Sequence, residues 1–189
     1  GSRGPLDAIR RLVDSGLDAM EVQFVRQVSM SLDRAQELGE EAARSGIRLS
    51  AHAPYYVNFN SDKEGVRNRS MDWTFETLRR VDAMGGTVAV VHAAAYGSRP
   101  EDATKAIIDG LKEVRSKMDE EGIEARIGLE TMGKKGSWGT MEEISAVCAE
   151  VDGTIPVLDF AHLHARDGGG IRSQEDFLAL IEASRDISG

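Results

Sequence analysis

One cysteine, Cys148, occurs in 189 residues, which excludes an internal disulfide and any Cys-x-x-Cys pair. It lies in Ile144-Ser145-Ala146-Val147-Cys148, on an expected helix, where it reads as a small buried hydrophobe rather than a nucleophile or ligand. No run of 18 or more apolar residues exists, so no segment is expected to span a membrane. The first residues carry no hydrophobic stretch of the signal-peptide type, and the compartment expected by default is the cytoplasm. A Walker-type phosphate loop and a Gly-x-Ser-x-Gly elbow are also missing, which removes the commonest nucleotide-hydrolysis and serine-esterase readings. Positive charge is scarce. The 23 Lys and Arg against 32 Asp and Glu leave a formal net charge of −9, the reverse of the balance in a general nucleic-acid binder.

What remains describes an ordinary globular protein with one sizeable core, 41% hydrophobic and 29% charged. The charges are unevenly spread. Arg26, Lys63, Arg67, Arg69, Arg99, Lys134, Lys135, Arg166 and Arg172 fall in or just after the segments that follow expected strand ends, whereas Glu37, Glu40, Glu41, Asp119, Glu120 and Glu121 fall on expected helices. Two readings of this stay open: solvated helix faces with loop charges, or a rim that tracks phosphates.

Four residues of metal-ligand type each close a short apolar run. The runs are 47–52 ending in His52, 87–92 ending in His92, 125–130 ending in Glu130 and 155–159 ending in Asp159. Their intervals of 40, 38 and 29 residues leave room for one helix and two loops each time. Strands that return at this interval lie parallel in one sheet, so their C-terminal ends share one edge. Residues 19–24 read as a further strand. Helices are expected from Pro5 to Ser15, with Leu6, Ile9, Leu12 and Val13 at helical spacing, from Ser31 to near Gly46, and from Lys63 to Met84. Others are expected from Pro100 to Glu121, from Thr140 to Val151, and from Ser173 to Ser184, the last with Ser-x-Glu-Asp chemistry at its N-cap.

This alternation of five strands and six helices means α/β architecture, either a doubly wound sheet or a (β/α)8 barrel. No Gly-x-Gly-x-x-Gly follows the first strand, and functional groups at four successive strand ends suit a barrel mouth better than one crevice. A barrel needs eight strands, so residues 1–189 read as a single TIM-barrel-like domain that is incomplete. The expectation is one strand missing before Gly1 and two strand–helix units after Gly189, since bare sheet edges invite aggregation.

The segments His52-Ala53-Pro54-Tyr55-Tyr56-Val57-Asn58, Val90-Val91-His92, Leu129-Glu130-Thr131-Met132-Gly133 with Trp138-Gly139, and Leu158-Asp159-Phe160-Ala161-His162 resemble the endonuclease IV family in order and spacing. The match extends across most of the chain, and the stretch from Asp159 to Arg166 most resembles archaeal members. The resemblance implies a zinc-dependent apurinic/apyrimidinic endonuclease on a TIM barrel, acting on DNA that contains abasic sites. The wider superfamily also holds xylose-isomerase-like sugar isomerases and epimerases. By resemblance, His52, His92 and Glu130 match the ligands of one zinc ion, and Glu130 bridges to a second for which Asp159 is the next ligand. His162 matches the first ligand of a third. The family's remaining ligands come from later strands that are absent here.

These residue types suit the chemistry. Phosphodiester cleavage needs a hydroxide near neutral pH, and zinc lowers the pKa of bound water to about 7. Histidine and carboxylate hold zinc while leaving a coordination position open, and they also suit manganese or iron. Each residue has a plainer reading. His52 and His92 could cap strand ends, Glu130 could pair with Lys134, and Asp159 could cap a following helical turn. Tyr55 and Asn58 follow His52; by resemblance the tyrosine reaches into DNA beside the flipped abasic nucleotide, and its plainer role is to cover the barrel mouth. Arg26 stands where the preceding loop would also meet DNA. Three functions are carried forward: the abasic-site endonuclease with Glu130 at its catalytic centre, a sugar isomerase or epimerase with one divalent metal, and a metal-binding fragment without turnover.

Overall fold

The structure, a computed structural model, describes residues 5–188. Five strands, β1 (Ala19–Gln23), β2 (Arg48–His52), β3 (Val88–Val91), β4 (Arg126–Glu130) and β5 (Thr154–Val157), form one sheet in the order β1-β2-β3-β4-β5, all parallel. A doubly wound sheet reverses its strand order at a switch point, and this one never does. Strictly sequential order is the barrel's signature, and it draws four of the five strand ends into one rim of candidate ligands.

Seven α-helices occur among the described residues, one before each strand and two after β5: α1 (Pro5–Asp14), α2 (Leu32–Arg44), α3 (Glu64–Ala83), α4 (Ala103–Glu121), α5 (Met141–Cys148), α6 (Phe160–Arg166) and α7 (Gln174–Ser188). The sequence leads to six. The additional one is α6, seven residues long, too short to display a helical period. A short 3-10 turn, Pro100–Asp102, leads into α4. Local chemistry explains the helix starts. Thr140 and Glu143 form a reciprocal capping box on α5, and Ser31 accepts from the Arg34 amide on α2. Before α7, Ser173 Oγ accepts from the Asp176 amide and Asp176 Oδ2 accepts from the Ser173 amide. Gly122, at φ 67°, ends α4 in the left-handed conformation that a side chain resists.

Strand alternation sorts side chains between two faces. Leu49, Ala51, Ala89, Val91, Ile127 and Leu129 are buried in the main core, which they share with Leu38, Leu78, Ile107, Leu111, Met118 and Ile144 from the helices. On α1, Ile9 is buried but Val13 is exposed, and the side chain of Leu6 lies outside the described residues. The other strand face carries Glu21, His52, Val90, Glu130 and Val157, which line a hollow of about 350 Å3. Gly128 belongs to this face, where an added Cβ would lie 2.6 Å from Val157 Cγ2 and 2.9 Å from Val88 Cγ2. No helix among the described residues is long and apolar enough to cross a membrane.

Candidate metal centre

His52 and Glu130 are the last residues of β2 and β4, and His92 directly follows β3. Parallel pairing therefore stacks the three at one edge. Their donor atoms converge on Glu130 Oε2: His52 Nε2 lies 3.0 Å from it and His92 Nε2 2.7 Å, with the two imidazole nitrogens 3.3 Å apart. His52 Nδ1 lies 2.8 Å from the carbonyl of Ala53. A carbonyl can only accept, so Nδ1 carries the hydrogen and Nε2 faces the cluster.

Asp159 and His162 form a second group with the same glutamate. His162 Nδ1 lies 3.3 Å from Glu130 Oε1 and 3.5 Å from Asp159 Oδ2. Asp159 also does what its plainer reading asks: its Oδ1 accepts from the His162 amide at 2.8 Å and caps α6. The two roles coexist because they use different oxygens. His162 Nδ1 is already engaged, donating to the Thr131 carbonyl at 2.9 Å, so ligation through that nitrogen would require the bond to break. His164 stays outside the cluster, exposed and bonded to Ile171.

Electrostatics fit a cation. Burial opposes ionisation of Glu130, but hydrogen bonds from His52 and His92 outweigh it and hold its carboxyl at about 2. Burial lowers the His52 proton affinity, yet its bond to Glu130 raises it above the ordinary value overall. Two imidazoles and one firmly anionic, buried carboxylate are a donor set for a divalent metal, with no thiolate to select a soft ion.

The cluster gives His52, Glu130 and Asp159 to the inner hollow and His92 and His162 to a cavity of about 690 Å3 at the loops, which Tyr55, Asn58, Lys134 and Ser137 also line. Tyr55 is 47% exposed, yet its ring stacks on His92 and its hydroxyl donates to Gln23 Oε1 at 2.8 Å. Asn58 lines the cavity while its Oδ1 accepts from the Asn60 amide. Arg26 is exposed on the loop after β1, the loop to which Tyr55 N donates through Val25 O.

Of the basic residues at the loops, several are consumed internally. Arg166 Nη1 donates to the carbonyls of Met132, Lys134 and Ser137, and its Nη2 donates to the Tyr96 hydroxyl. Arg99 pairs with Asp62 and Arg67 binds the Ser61 carbonyl. Glu21 and Gln23 are the site residues that sequence reading passed over, and Arg166 was read only as one of the loop cations. Polar residues at every second position of β1 were the available signal for the first two, because that spacing marks one strand face. Glu21 is raised by burial and further by the Glu130 charge, against the pull of His52.

The family described as xylose isomerase-like TIM barrel matches residues 9–189. An uncharacterized protein of Methanocaldococcus jannaschii is 29% identical over 185 residues, 97% of this chain and 65% of its own length. A probable endonuclease 4 of Staphylococcus epidermidis is 31% identical over 162 residues, 81% of this chain and 52% of its own. This chain thus spans between half and two thirds of the length of these relatives. Among solved structures, endonuclease IV from Thermus thermophilus superposes with a TM-score of 0.72 at 22% identity, covering 99% of this chain and 68% of the other. D-psicose 3-epimerase from Clostridium cellulolyticum gives 0.72 at 16% identity, covering 99% and 77%. At these identities the structural likeness concerns the fold alone.

Proposed function

The chain belongs to the xylose isomerase-like TIM barrel family, and from that premise we propose that it serves metal-dependent hydrolysis of DNA, cutting the phosphodiester 5′ to an abasic site. One observation carries this reading. Glu130 turns Oε2 to His52 and His92 and Oε1 to His162, the posture of a carboxylate shared between two cations. Paired cations suit the attacking and leaving oxygens of a phosphodiester. Relatives named as endonucleases support the choice of DNA over other phosphodiesters.

His52, His92 and Glu130 would hold one zinc ion, and Glu130, Asp159 and His162 would contribute to others. When bound, zinc supplies water ionised near neutral pH and offsets charge on the phosphoryl oxygens. The protein's part is preorganisation. Ala53 fixes the tautomer of His52, and Thr131 donates its hydroxyl to Asp159 O while accepting from Asp159 N, which seats the β5 end against β4. Arg26 and Lys134 are exposed cations at the mouth, suited to phosphates, and Tyr55 and Asn58 border the cavity where the lesion would enter.

The test is incision of a duplex with one abasic site by zinc-reloaded protein, with and without chelator. Chelator-sensitive cutting on the 5′ side is expected; a zinc-loaded protein that leaves the duplex intact overturns the reading. A second reading, a sugar isomerase or epimerase, draws on the group Glu130, Asp159 and His162, which could hold a single divalent ion by itself, and on the net charge of −9. Conversion of a ketose by manganese-loaded protein, without DNA incision, would establish it instead. Metal binding with neither activity would leave a non-catalytic metal-binding barrel.

A further inference from the structure

The two histidines of the candidate metal centre are oriented by different means. His52 has the common arrangement, its far nitrogen Nδ1 donating to a carbonyl. His92 does not: its Nε2 meets Glu130 and His52, and among the described residues no hydrogen bond reaches its Nδ1. An imidazole without that second bond is free to swing about its side-chain torsions unless packing holds it. Tyr55 supplies the packing. Its ring lies 5.5 Å from the His92 ring, centroid to centroid, at an interplanar angle of 24°, and meets the edge of His52 at 5.1 Å and 65°.

A half-exposed loop tyrosine is a poor support by itself, because it can rotate into solvent. Tyr55 is tied at its far end. Its hydroxyl donates to Gln23 Oε1 at 2.8 Å, and Gln23 Nε2 donates to Glu21 Oε1 at 2.5 Å. Gln23 closes β1 and pairs in register with His52 of β2, so the anchor stands on the sheet rather than on a loop.

We propose that Tyr55, anchored by Gln23, is the positioning residue of His92, doing by ring stacking what a carbonyl does for His52. The proposal rests on the metal reading above. It gives Tyr55 a task inside the protein, whatever it also meets outside, and it gives the polar face of β1 a purpose.

The test measures zinc affinity by chelator competition and the visible absorption of the cobalt-substituted chain. Tyr55→Leu removes stack and anchor together and is expected to weaken zinc by roughly 10- to 100-fold, the usual cost of losing a ligand's outer support, with a changed cobalt spectrum. Tyr55→Phe removes only the anchor bond, and Gln23→Leu removes it together with the Gln23–Glu21 bond; each is expected to weaken zinc by a smaller factor than Tyr55→Leu. The double variant Gln23→Leu/Tyr55→Phe is expected to be no weaker than Gln23→Leu alone, since the bond that Tyr55→Phe deletes is then already gone. Thermal unfolding of the metal-free variants separates folding damage from the effect on metal. If Tyr55→Leu binds zinc within twofold of the unsubstituted chain, with an unchanged cobalt spectrum, while His92→Ala has lost the metal, the positioning role is wrong and the metal centre stands. If the unsubstituted chain binds neither cation, the metal reading falls and the positioning role with it.

Discussion

Glu130→Gln tests the centre most directly, because it keeps the shape and removes the charge. In the metal-free chain the carboxyl is held at about 2 against an ordinary 4.5, against the opposing effect of burial. At about 1.4 kcal/mol for each tenfold change in proton affinity, the ionised form contributes at most about 3 kcal/mol. Because the folded-state value is depressed, that contribution is complete above pH 4.5 and disappears as pH falls towards 2. His52 behaves in the opposite sense. Its folded value is raised above 6.5, so its contribution is complete below 6.5 and is lost as pH rises through the folded value. Both are present together between pH 4.5 and 6.5. At pH 5.5, Glu130→Gln is therefore expected to lower the thermal midpoint by up to roughly 6–12 °C, at about 2–4 °C per kcal/mol for a chain of this size. Towards pH 9 the His52 charge that Glu130 pairs with is being lost, and the loss is expected to be smaller than at pH 5.5. Zinc at a hundredfold excess over its Kd should raise the midpoint of the unsubstituted chain by roughly 5–11 °C, from about 2.7 kcal/mol of linkage, and leave Glu130→Gln unmoved. Thermal unfolding followed by circular dichroism reads all three. An equal loss at pH 5.5 and pH 9 would refute the charge argument and make Glu130 a packing residue.

Three further outcomes follow from the geometry. Tyr55→Ala is expected to weaken binding to abasic-site duplex more than to undamaged duplex in a fluorescence-anisotropy titration; an equal loss would mean that the ring only covers the mouth. Arg166→Met removes the donor that gathers the carbonyls of Met132, Lys134 and Ser137, so trypsin should cut after Lys134 or Lys135 several times faster, at a global cost of about 1–3 kcal/mol. Unchanged cleavage would show that the loop is held by other contacts. Gly110→Ala would place a Cβ 2.5 Å from Cδ1 of the buried Phe59 ring, and the midpoint should fall by the equivalent of about 1–3 kcal/mol; a neutral result would mean that Phe59 has room to move.

The strand ends were legible in sequence. Four apolar runs closed by His52, His92, Glu130 and Asp159 carry a local signal, because burial of a parallel strand and the polar residue that closes it are written into consecutive residues. Helix α6 was not legible as a helix, although its cap was: Asp159 was open to a capping role, but seven residues do not complete two helical turns. Arg166 in sequence resembles any loop cation, and only the fold brings three carbonyls of another loop to its guanidinium. Tyr55 was placed beside the site by resemblance, but its tie to Gln23 depends on the sheet.

The sequence by itself determined the α/β alternation, the parallel sheet and the kinds of donor at its edge, since each is a short-range pattern of apolar spacing and a polar stop. Only the tertiary structure decided that Glu130 divides its two oxygens between two donor groups, and that Gln23, Tyr55 and His92 make one stack. Those relations join residues far apart in the chain. They depend on the register of β1 on β2 and on the path of the loop after His52, which no local pattern encodes.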